Sequence, residues 1–195
     1  MQPLILASAS PRRQELLGRI AEDFTVCPAD TDETLPDGLP IAQQIETLAL
    51  RKAQAVFDTH PDSTVIGADT MVVVDGVPFG KPVDAADAAR MLKILSGRAH
   101  EVITGVAVLS PQGRRVAHRV TKVYFRALTA EEIAWYIATG EPLDKAGAYG
   151  IQGKGSRFIP GIEGDYFNVV GLSVELLDTM LTEVGFLDKE VLNKN

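Results

Sequence analysis

Short apolar runs alternate with apolar stripes of helical spacing along this chain, and that alternation constrains the fold more than any other feature of the sequence. Residues 4–7 have the composition of a buried strand, and Ser10 followed by Pro11 is typical of a helix start, which predicts a helix through about Ile20. Residues 41–56 then repeat apolar side chains at helical spacing. Strands that alternate with helices predict an α/β fold with a mixed, twisted sheet and flanking helices.

The rest of the chain continues this alternation. Two apolar runs, residues 64–67 and 71–74, flank Asp69, and Asp75-Gly76 predicts a hairpin turn after the second run. Further elements are expected as a strand at 24–28, a helix capped by Asp84, strands at about 101–109 and 116–125, a helix opened by the capping box that begins at Thr129, a hairpin between 158–162 and 166–170, and a last helix from Val174 to Val184.

The composition is that of an ordinary globular protein. Hydrophobic residues make up 46% and charged residues 23% of the 195 residues, so one sizeable core can be buried. We therefore expect a single domain at residues 1–187 and a flexible tail at 188–195. No apolar run reaches the roughly 18 residues that span a bilayer, and the N-terminus lacks a secretory leader, so we expect a cytoplasmic protein without a membrane partner.

The charge of the chain limits its partners. A net charge of −7 repels a polyanionic duplex, so a phosphate-bearing partner has to be held by a local cationic pocket, which favours a small substrate over duplex nucleic acid. Cys27 is the only cysteine, which excludes an internal disulfide and a cysteine metal cage. The histidines show no metal-ligand spacing, and nucleophile-elbow and P-loop motifs are lacking. Acyl transfer and P-loop nucleotide hydrolysis are therefore disfavoured.

Two arginines stand in the first turn of the first predicted helix. A positive charge there opposes the helix dipole by roughly 0.3–1 kcal/mol, whereas the free N–H groups of the same turn attract anions. One interpretation is that Arg12 and Arg13, with the hydroxyls of Ser8 and Ser10, bind a polyphosphate. The other is that both guanidiniums are solvated and that Arg12 pairs with Glu15. The residues alone weigh these two interpretations evenly.

Two lysines are further candidates for phosphate binding. Lys52 falls on the apolar stripe of the helix predicted at 41–56, so its ammonium points inward or along the edge of the stripe. Snorkelling to solvent is the commoner fate of such a lysine. Lys81 stands between Gly80 and Pro82, whose stiff backbone could aim it into the same cleft as Asp69, but alone it is a weak signal.

Two carboxylates are candidate ligands for a divalent metal. Asp69 stands among apolar strand residues, where a carboxylate is costly unless a cation or a metal is its partner. Glu33, in an acidic loop, is the natural second carboxylate, and hard oxygen ligands of this kind suit Mg²⁺ or Mn²⁺. The alternative for Glu33 is a solvated loop acid, and the sequence alone favours it. The alternative for Asp69 is a turn residue at a strand end, which the sequence favours as much as a catalytic role.

Residues 144–155 are rich in glycine, which indicates a backbone that turns sharply or approaches a ligand. With this segment the chain resembles the Maf family of nucleotide pyrophosphatases, from Leu4 to about Leu181. The resemblance rests on Ser8-Ala9-Ser10-Pro11-Arg12-Arg13, Asp32-Glu33, Lys52-Ala53, Gly67-Ala68-Asp69-Thr70, Gly80-Lys81-Pro82, Leu95-Ser96-Gly97, Asp144-Lys145-Ala146-Gly147-Ala148-Tyr149-Gly150-Ile151-Gln152-Gly153 and Val170-Gly171-Leu172. Ser173 departs from it, since proline is expected there, but serine is a good helix cap.

The resemblance implies an elongated, two-lobed fold with a central cleft, like that of inosine triphosphate pyrophosphatases, and often a homodimer. It implies hydrolysis between the α- and β-phosphates of a nucleoside triphosphate, with a divalent metal cation, Mg²⁺ or Mn²⁺, as cofactor. Carried onto this chain, it gives Asp69 as the catalytic proton acceptor, Glu33, Lys52 and Lys81 as residues near the phosphates and the metal, and Arg12, Thr70 and Gln152 as the residues that govern the choice of base.

The glycine-rich segment resembles the branch of the family that acts on dTTP and UTP, with CTP and modified pyrimidine nucleotides as further candidate substrates. Gln152 offers both a donor and an acceptor, which suits the edge of uracil or thymine. Two rival functions stay open. One is a nucleotide-binding regulator of septum formation without turnover, and the other is a purine-directed house-cleaning pyrophosphatase.

Overall fold

A mixed sheet of seven strands organises the part of the chain that the structure describes, residues 2–188. The structure is a computed structural model, and its strands are β1 (Leu4–Leu6), β2 (Thr25–Val26), β3 (Thr64–Val74), β4 (Val77–Phe79), β5 (Ala99–Ser110), β6 (Gly113–Tyr124) and β7 (Gly161–Glu163). Their order is β2-β1-β3-β5-β6-β7, with β4 paired to β3. Because β1 is parallel to β2 and β3 while β4 and β7 pair antiparallel with β3 and β6, the predicted mixed sheet is confirmed. The predicted tail, beyond Asp188, lies outside the described residues.

Six α-helices alternate with these strands within the described residues. They are α1 (Pro11–Leu17), α2 (Ile41–Phe57), α3 (Ala85–Leu95), α4 (Ala130–Ala138), α5 (Tyr166–Val170) and α6 (Val174–Glu183), with short 3₁₀ turns at Glu141–Asp144, Ala146–Ala148 and Lys154–Phe158. The predicted caps are confirmed, because Ser10, Asp84 and Ser173 each accept a hydrogen bond from the N–H three residues on, and Thr129 forms a complete capping box with Glu132. None of the helices in residues 2–188 is long and apolar enough to cross a membrane.

The internal contacts divide the described residues into two compact units. The first comprises residues 2–69, 104–119 and 171–188, and the second comprises residues 70–103 and 120–170. The chain passes from one unit to the other within β3, β5 and β6. Each unit has buried apolar clusters of its own. The single domain expected at residues 1–187 stays a prediction.

Helix α2 packs very closely on the strands of the first unit because two of them present glycine to it. A Cβ atom on Gly67 of β3 would lie 2.3 Å from Ala49 O and 2.6 Å from Ala53 N of α2. A Cβ atom on Gly105 of β5 would lie 2.8 Å from a carbonyl oxygen of the same helix. Cβ atoms do not approach other atoms this closely, so only glycine allows the contact. The buried face of α2, which includes Lys52, therefore lies directly along β3.

The core of the second unit is built around aromatic rings. The ring of Phe125 lies 4.8 Å from that of Tyr149 and 6.1 Å from that of Phe158, measured between centroids. His100 Nε2 and the Tyr149 hydroxyl are hydrogen-bonded at 2.8 Å. Burial, aided by Arg98, lowers the pKa of His100 to about 4, so the ring is neutral at pH 7. His100 is thus a packed core residue.

Two predictions in the first half of the chain are wrong in their details. Helix α1 ends at Leu17 and not near Ile20, because the N–H groups of Arg19 and Ile20 bond to carbonyls three residues back and tighten the helix end. Strand β3 runs without a break through Asp69, so the alternative that placed this residue in a turn is also wrong.

The hairpin predicted across residues 158–170 is wrong as well. Strand β7 pairs with β6, and the residues after it form α5. The Asp165 carboxylate accepts a hydrogen bond from Phe167 N at 2.8 Å, which starts the helical turn. The Asn168 amide then donates to a buried carbonyl of β5 at 3.0 Å and to Thr121 Oγ1 at 2.9 Å. Hydrogen bonds to distant strands outweigh the β-branched composition here.

Replacing Gly67 with alanine is expected to destabilise the protein by about 3 kcal/mol, because the new Cβ overlaps the backbone of α2. Gly161→Ala is the control, since an added Cβ on this strand glycine meets nothing within 4 Å. Urea unfolding followed by circular dichroism measures both free energies of unfolding. Equal values for the two variants would contradict the close contact between α2 and β3.

Candidate functional site

One lysine joins two acidic residues in the first unit. The Lys52 ammonium lies 2.6 Å from Asp69 Oδ1 and 2.8 Å from Glu33 Oε1. The side chains of Lys52 and Asp69 are 12% and 10% exposed, whereas that of Glu33 is 65% exposed. The snorkelling alternative for Lys52 is therefore wrong. Glu33 is as exposed as a solvated loop acid, but it also takes part in this ion-pair cluster.

Asp69 keeps one carboxylate oxygen without a partner. Lys52 holds Oδ1, while Oδ2 is buried and has no hydrogen-bond partner among residues 2–188. A buried polar atom without a partner costs about 1–3 kcal/mol, and more when the group is charged. A buried polar atom without a protein partner commonly binds a water molecule, an ion or a ligand. Asp69 Oδ2 is therefore the atom of the cluster best suited to accept a proton or to bind a cation.

The turn at residues 8–13 is closed by its own side chains. Ser8 Oγ accepts hydrogen bonds from Ser10 N and from Arg13 Nη1, both at 3.3 Å, and Ser10 Oγ accepts one from Arg13 N at 3.4 Å. Arg13 Nε donates to Gly171 O at 2.9 Å. The two serines thus shape the turn, and the Arg13 guanidinium is oriented by the fold before a ligand binds.

The two arginines of this turn add positive charge to the cluster. Glu15 pairs with Arg19 at 3.4 Å, so the alternative that paired it with Arg12 is wrong, and Arg12 makes no ion pair with a carboxylate of residues 2–188. Burial lowers the pKa of Arg13, and Arg12 lowers it further, while Asp69 and Glu33 act in the opposite direction. Arg13 thus lies within electrostatic range of both carboxylates and of Arg12, and the cations Lys52, Arg12 and Arg13 outnumber Asp69 and Glu33, which favours an anionic ligand.

The acidic loop that carries Glu33 is held by Arg51 of α2, a residue to which the sequence assigned no role. Arg51 Nη1 donates to Thr34 O at 2.7 Å and to Asp32 O at 3.2 Å. The Asp32 carboxylate accepts a hydrogen bond from Thr34 N at 2.9 Å, and hydrogen bonding to Thr34 lowers the pKa of Asp32. In the sequence, only the position of Arg51 next to the candidate residue Lys52 indicates that Arg51 lies near the site.

Two of the remaining predicted site residues, Thr70 and Lys81, lie in the second unit. Thr70 follows Asp69 in β3 and is partly buried. Lys81 is exposed in the segment after β4, where Gly80 O accepts a hydrogen bond from Gly147 N at 3.0 Å. The second unit therefore places the Lys81 segment against the glycine-rich segment.

Gln152 is exposed on a tight turn of the glycine-rich segment. Gly153 N donates to Gly150 O at 3.4 Å, which makes Gln152 the third residue of that turn. The segment around it is hydrogen-bonded to Glu141 and Tyr136, two residues to which the sequence assigned no role. In the sequence, Glu141 is notable only because it precedes a proline, so no local pattern indicates its contacts.

The carboxylates of the first unit fit a hard divalent cation that is bound together with its substrate. No group of three or more His, Cys, Asp or Glu side chains suited to hold an ion occurs in the described part of the chain. Mg²⁺ in nucleotide sites commonly uses one or two protein carboxylates and completes its shell with water and phosphate oxygens. Asp69, through its unpartnered Oδ2, and Glu33 provide such a donor pair.

Comparison with known proteins finds close relatives of the whole chain. A family model described as "Maf-like protein" matches residues 3–184. A dTTP/UTP pyrophosphatase of Symbiobacterium thermophilum is 52% identical over 186 residues, which cover 95% of this chain and 96% of that protein. A dTTP/UTP pyrophosphatase of Moorella thermoacetica is 54% identical over 187 residues, with 95% and 96% of the two chains covered.

A solved structure supports the fold. The Ham1 protein of Staphylococcus aureus matches with a TM-score of 0.54 at 16% identity, covering 93% of this chain and 99% of that one. The predicted α/β fold class, like that of the Ham1 proteins, is therefore confirmed.

Replacing Lys52 with methionine is expected to lower the free energy of unfolding at pH 7 by about 3 kcal/mol, because the buried Asp69 carboxylate loses its cation. The double variant with Asp69→Asn should regain part of this loss, since the unpaired charge is then absent. Arg19→Met is the control, because the exposed pair of Arg19 with Glu15 is worth less than about 1 kcal/mol. Urea unfolding provides the free energies, and a Lys52→Met loss no larger than that of the control would argue against a buried pair.

Proposed function

This chain belongs to the Maf family, and from that membership we propose that it hydrolyses dTTP and UTP to the nucleoside monophosphate and pyrophosphate. Relatives that share about half of its residues over nearly their whole length carry the name dTTP/UTP pyrophosphatase. The structural observation that supports the proposal most is the buried, unpartnered Oδ2 of Asp69 beside Lys52. CTP and modified pyrimidine nucleotides are further candidate substrates.

The cations of the first unit bind the triphosphate in this proposal. Arginine suits bidentate contact with phosphate oxygens, and Arg13 is already oriented by Ser8 and by the carbonyl of Gly171. Lys52 supplies a compact positive charge. With Arg12, these residues offset the negative charge that grows on the leaving pyrophosphate.

The reaction consumes one water molecule. The water oxygen forms a bond to the α-phosphorus, the bond from that phosphorus to the bridging oxygen breaks, and pyrophosphate leaves with the electron pair. Because Lys52 holds Asp69 Oδ1, Oδ2 is the oxygen left for the reaction, and it either takes up the proton of the attacking water or binds the divalent cation. Burial in β3 and the hydrogen bond from Lys52 hold this carboxylate in place.

A divalent cation, Mg²⁺ or Mn²⁺, belongs to this proposal, and Asp69 and Glu33 would hold it together with phosphate oxygens and water. Such an ion supplies charge neutralisation on the phosphates and lowers the pKa of a bound water. The Glu33 side chain is 65% exposed, so a cation would reach its carboxylate from the solvent.

The roles proposed for the second unit rest on the family resemblance. Lys81 is a phosphate contact, and Thr70 and Gln152, with Arg12, govern the choice of base. The exposed amide of Gln152 offers a donor and an acceptor to uracil or thymine. We also propose, on the same ground, a cytoplasmic homodimer that binds neither duplex nucleic acid nor membrane.

A nucleotide panel tests the proposed activity. With Mg²⁺ or Mn²⁺, purified protein is expected to release pyrophosphate from dTTP and UTP at least tenfold faster than from ITP or 7-methyl-GTP, and chelation of the metal is expected to stop the release. Binding of dTTP without release of pyrophosphate would support a regulator without turnover. Faster turnover of the purine nucleotides would support a purine-directed enzyme.

Asp69→Asn is expected to lower kcat for dTTP by about 10³-fold or more while the protein stays folded, because the amide can neither take up the proton of the attacking water nor bind a divalent cation as a carboxylate does. Asp62→Asn, which changes an exposed carboxylate of the same unit, is the control and should keep kcat within twofold. Initial rates of pyrophosphate release measure both variants. A kcat of Asp69→Asn within tenfold of the unchanged protein would remove this residue from its role.

A further inference from the structure

The glycine-rich segment of residues 144–155 wraps around a pair of side chains, Glu141 and Tyr136. Glu141 Oε1 accepts hydrogen bonds from the Tyr136 hydroxyl at 2.7 Å and from Gly155 N at 3.2 Å, and Oε2 accepts one from Lys154 N at 2.9 Å. Tyr136 is fully buried, and its hydroxyl also accepts a hydrogen bond from Gly150 N at 3.1 Å. The pair therefore satisfies backbone donors on both sides of the turn that carries Gln152.

The glycines of the segment are required by this pair. A Cβ atom on Gly153 would lie 2.3 Å from Glu141 Oε1, and one on Gly155 would lie 2.6 Å from the Tyr136 hydroxyl. Neither position has room for a side chain while the carboxylate and the hydroxyl stay in place. The glycines thus allow the backbone to close on an anchor inside the protein.

The charge of Glu141 contributes to the anchor. Burial raises the pKa of Glu141, but hydrogen bonds from Lys154 N, the Tyr136 hydroxyl and Gly155 N, together with Lys145, outweigh it and hold the pKa below its ordinary value. Lys145 Nζ also donates to Glu141 O at 3.0 Å. The ionised carboxylate is therefore the form that binds this segment.

We propose that Glu141 is a positioning residue for substrate selection, which fixes the turn of residues 150–153 and so presents the Gln152 amide to the pyrimidine base. The inference rests on the proposed function, because it concerns the base contact of that reaction. Gln152 itself is exposed and sits on a turn closed by one long backbone hydrogen bond of 3.4 Å. Its orientation depends on the flanking residues Gly150, Lys154 and Gly155, and all three bind the Glu141–Tyr136 pair.

Glu141→Gln tests this inference. The amide keeps one acceptor oxygen and turns an NH₂ group toward a donor, so at least one backbone N–H loses its partner. We expect KM for UTP and dTTP to rise about tenfold, kcat to stay within threefold, and the preference for UTP over ATP to fall. Amide hydrogen exchange of residues 150–155 in the unliganded protein should accelerate by about tenfold.

Glu163→Gln is the matched control. Glu163 is an exposed carboxylate of the same unit that accepts a hydrogen bond from a tyrosine hydroxyl, that of Tyr124, at 2.9 Å. Within residues 2–188, Glu163 accepts no hydrogen bond from a backbone N–H of the glycine-rich segment. Its KM, its preference for UTP and the exchange of residues 150–155 are expected to stay within twofold of the unchanged protein.

The outcomes separate a positioning role from other roles. A fall in kcat with unchanged KM, or faster exchange throughout the second unit with no change in the preference for UTP over ATP, would overturn the inference. The inference would also be overturned if Glu141→Gln had the same KM and the same amide exchange as Glu163→Gln. If the unchanged protein does not hydrolyse UTP or dTTP, the proposed function fails. The part of the inference that concerns KM then fails as well, but the proposed base contact can still be tested by binding. Weaker binding of UMP by Glu141→Gln than by Glu163→Gln, measured by calorimetry, then decides whether Glu141 positions a base contact.

Discussion

The close contact of α2 with β3 at Gly67 is the constraint on which the first unit depends. Because Gly67 carries no side chain, the backbone of α2 at Ala49 and Ala53 reaches the strand, and Lys52 is brought to Asp69 at 2.6 Å. A larger residue would separate the helix from the strand and lengthen this ion pair. The ion-pair cluster of Lys52, Asp69 and Glu33 is therefore a consequence of packing, since one methyl group decides whether a buried lysine meets its carboxylate.

The same packing explains why the cluster suits a phosphate reaction. A buried carboxylate with a single cationic partner would be a poor source of stability. Here the second oxygen of Asp69 has no hydrogen-bond partner among residues 2–188, and Arg12 and Arg13 add positive charge beyond what Asp69 and Glu33 neutralise. The arrangement is costly in the unliganded protein, and under the proposed function the entry of a polyanion and a divalent cation offsets this cost. Such a cost is typical of sites that are organised before the substrate binds.

The sequence predicted those features that depend on neighbours along the chain. Ser10, Asp84, Thr129 and Ser173 cap helices through bonds to residues three positions on, and such bonds can be derived from local patterns. It also placed Lys52 on the apolar stripe, but its partner lies 17 positions away in another element, and snorkelling was the commoner expectation. Asn168 and Glu141 escaped prediction for the same reason, because their hydrogen bonds are either to distant strands or to a loop whose path the sequence does not define. The family resemblance supplied the substrate, which no local pattern contained.

The claim that Asp69, Lys52 and Glu33 form the reaction centre is tested most directly by diffraction. Crystals grown with Mn²⁺ and the non-hydrolysable α,β-imido analogue of UTP would show the metal by its anomalous signal. The account predicts Mn²⁺ at coordination distance from Asp69 Oδ2 and phosphate oxygens within hydrogen-bond distance of Lys52 and Arg13. An analogue bound elsewhere, with Lys52 still bridging Asp69 and Glu33, would contradict it.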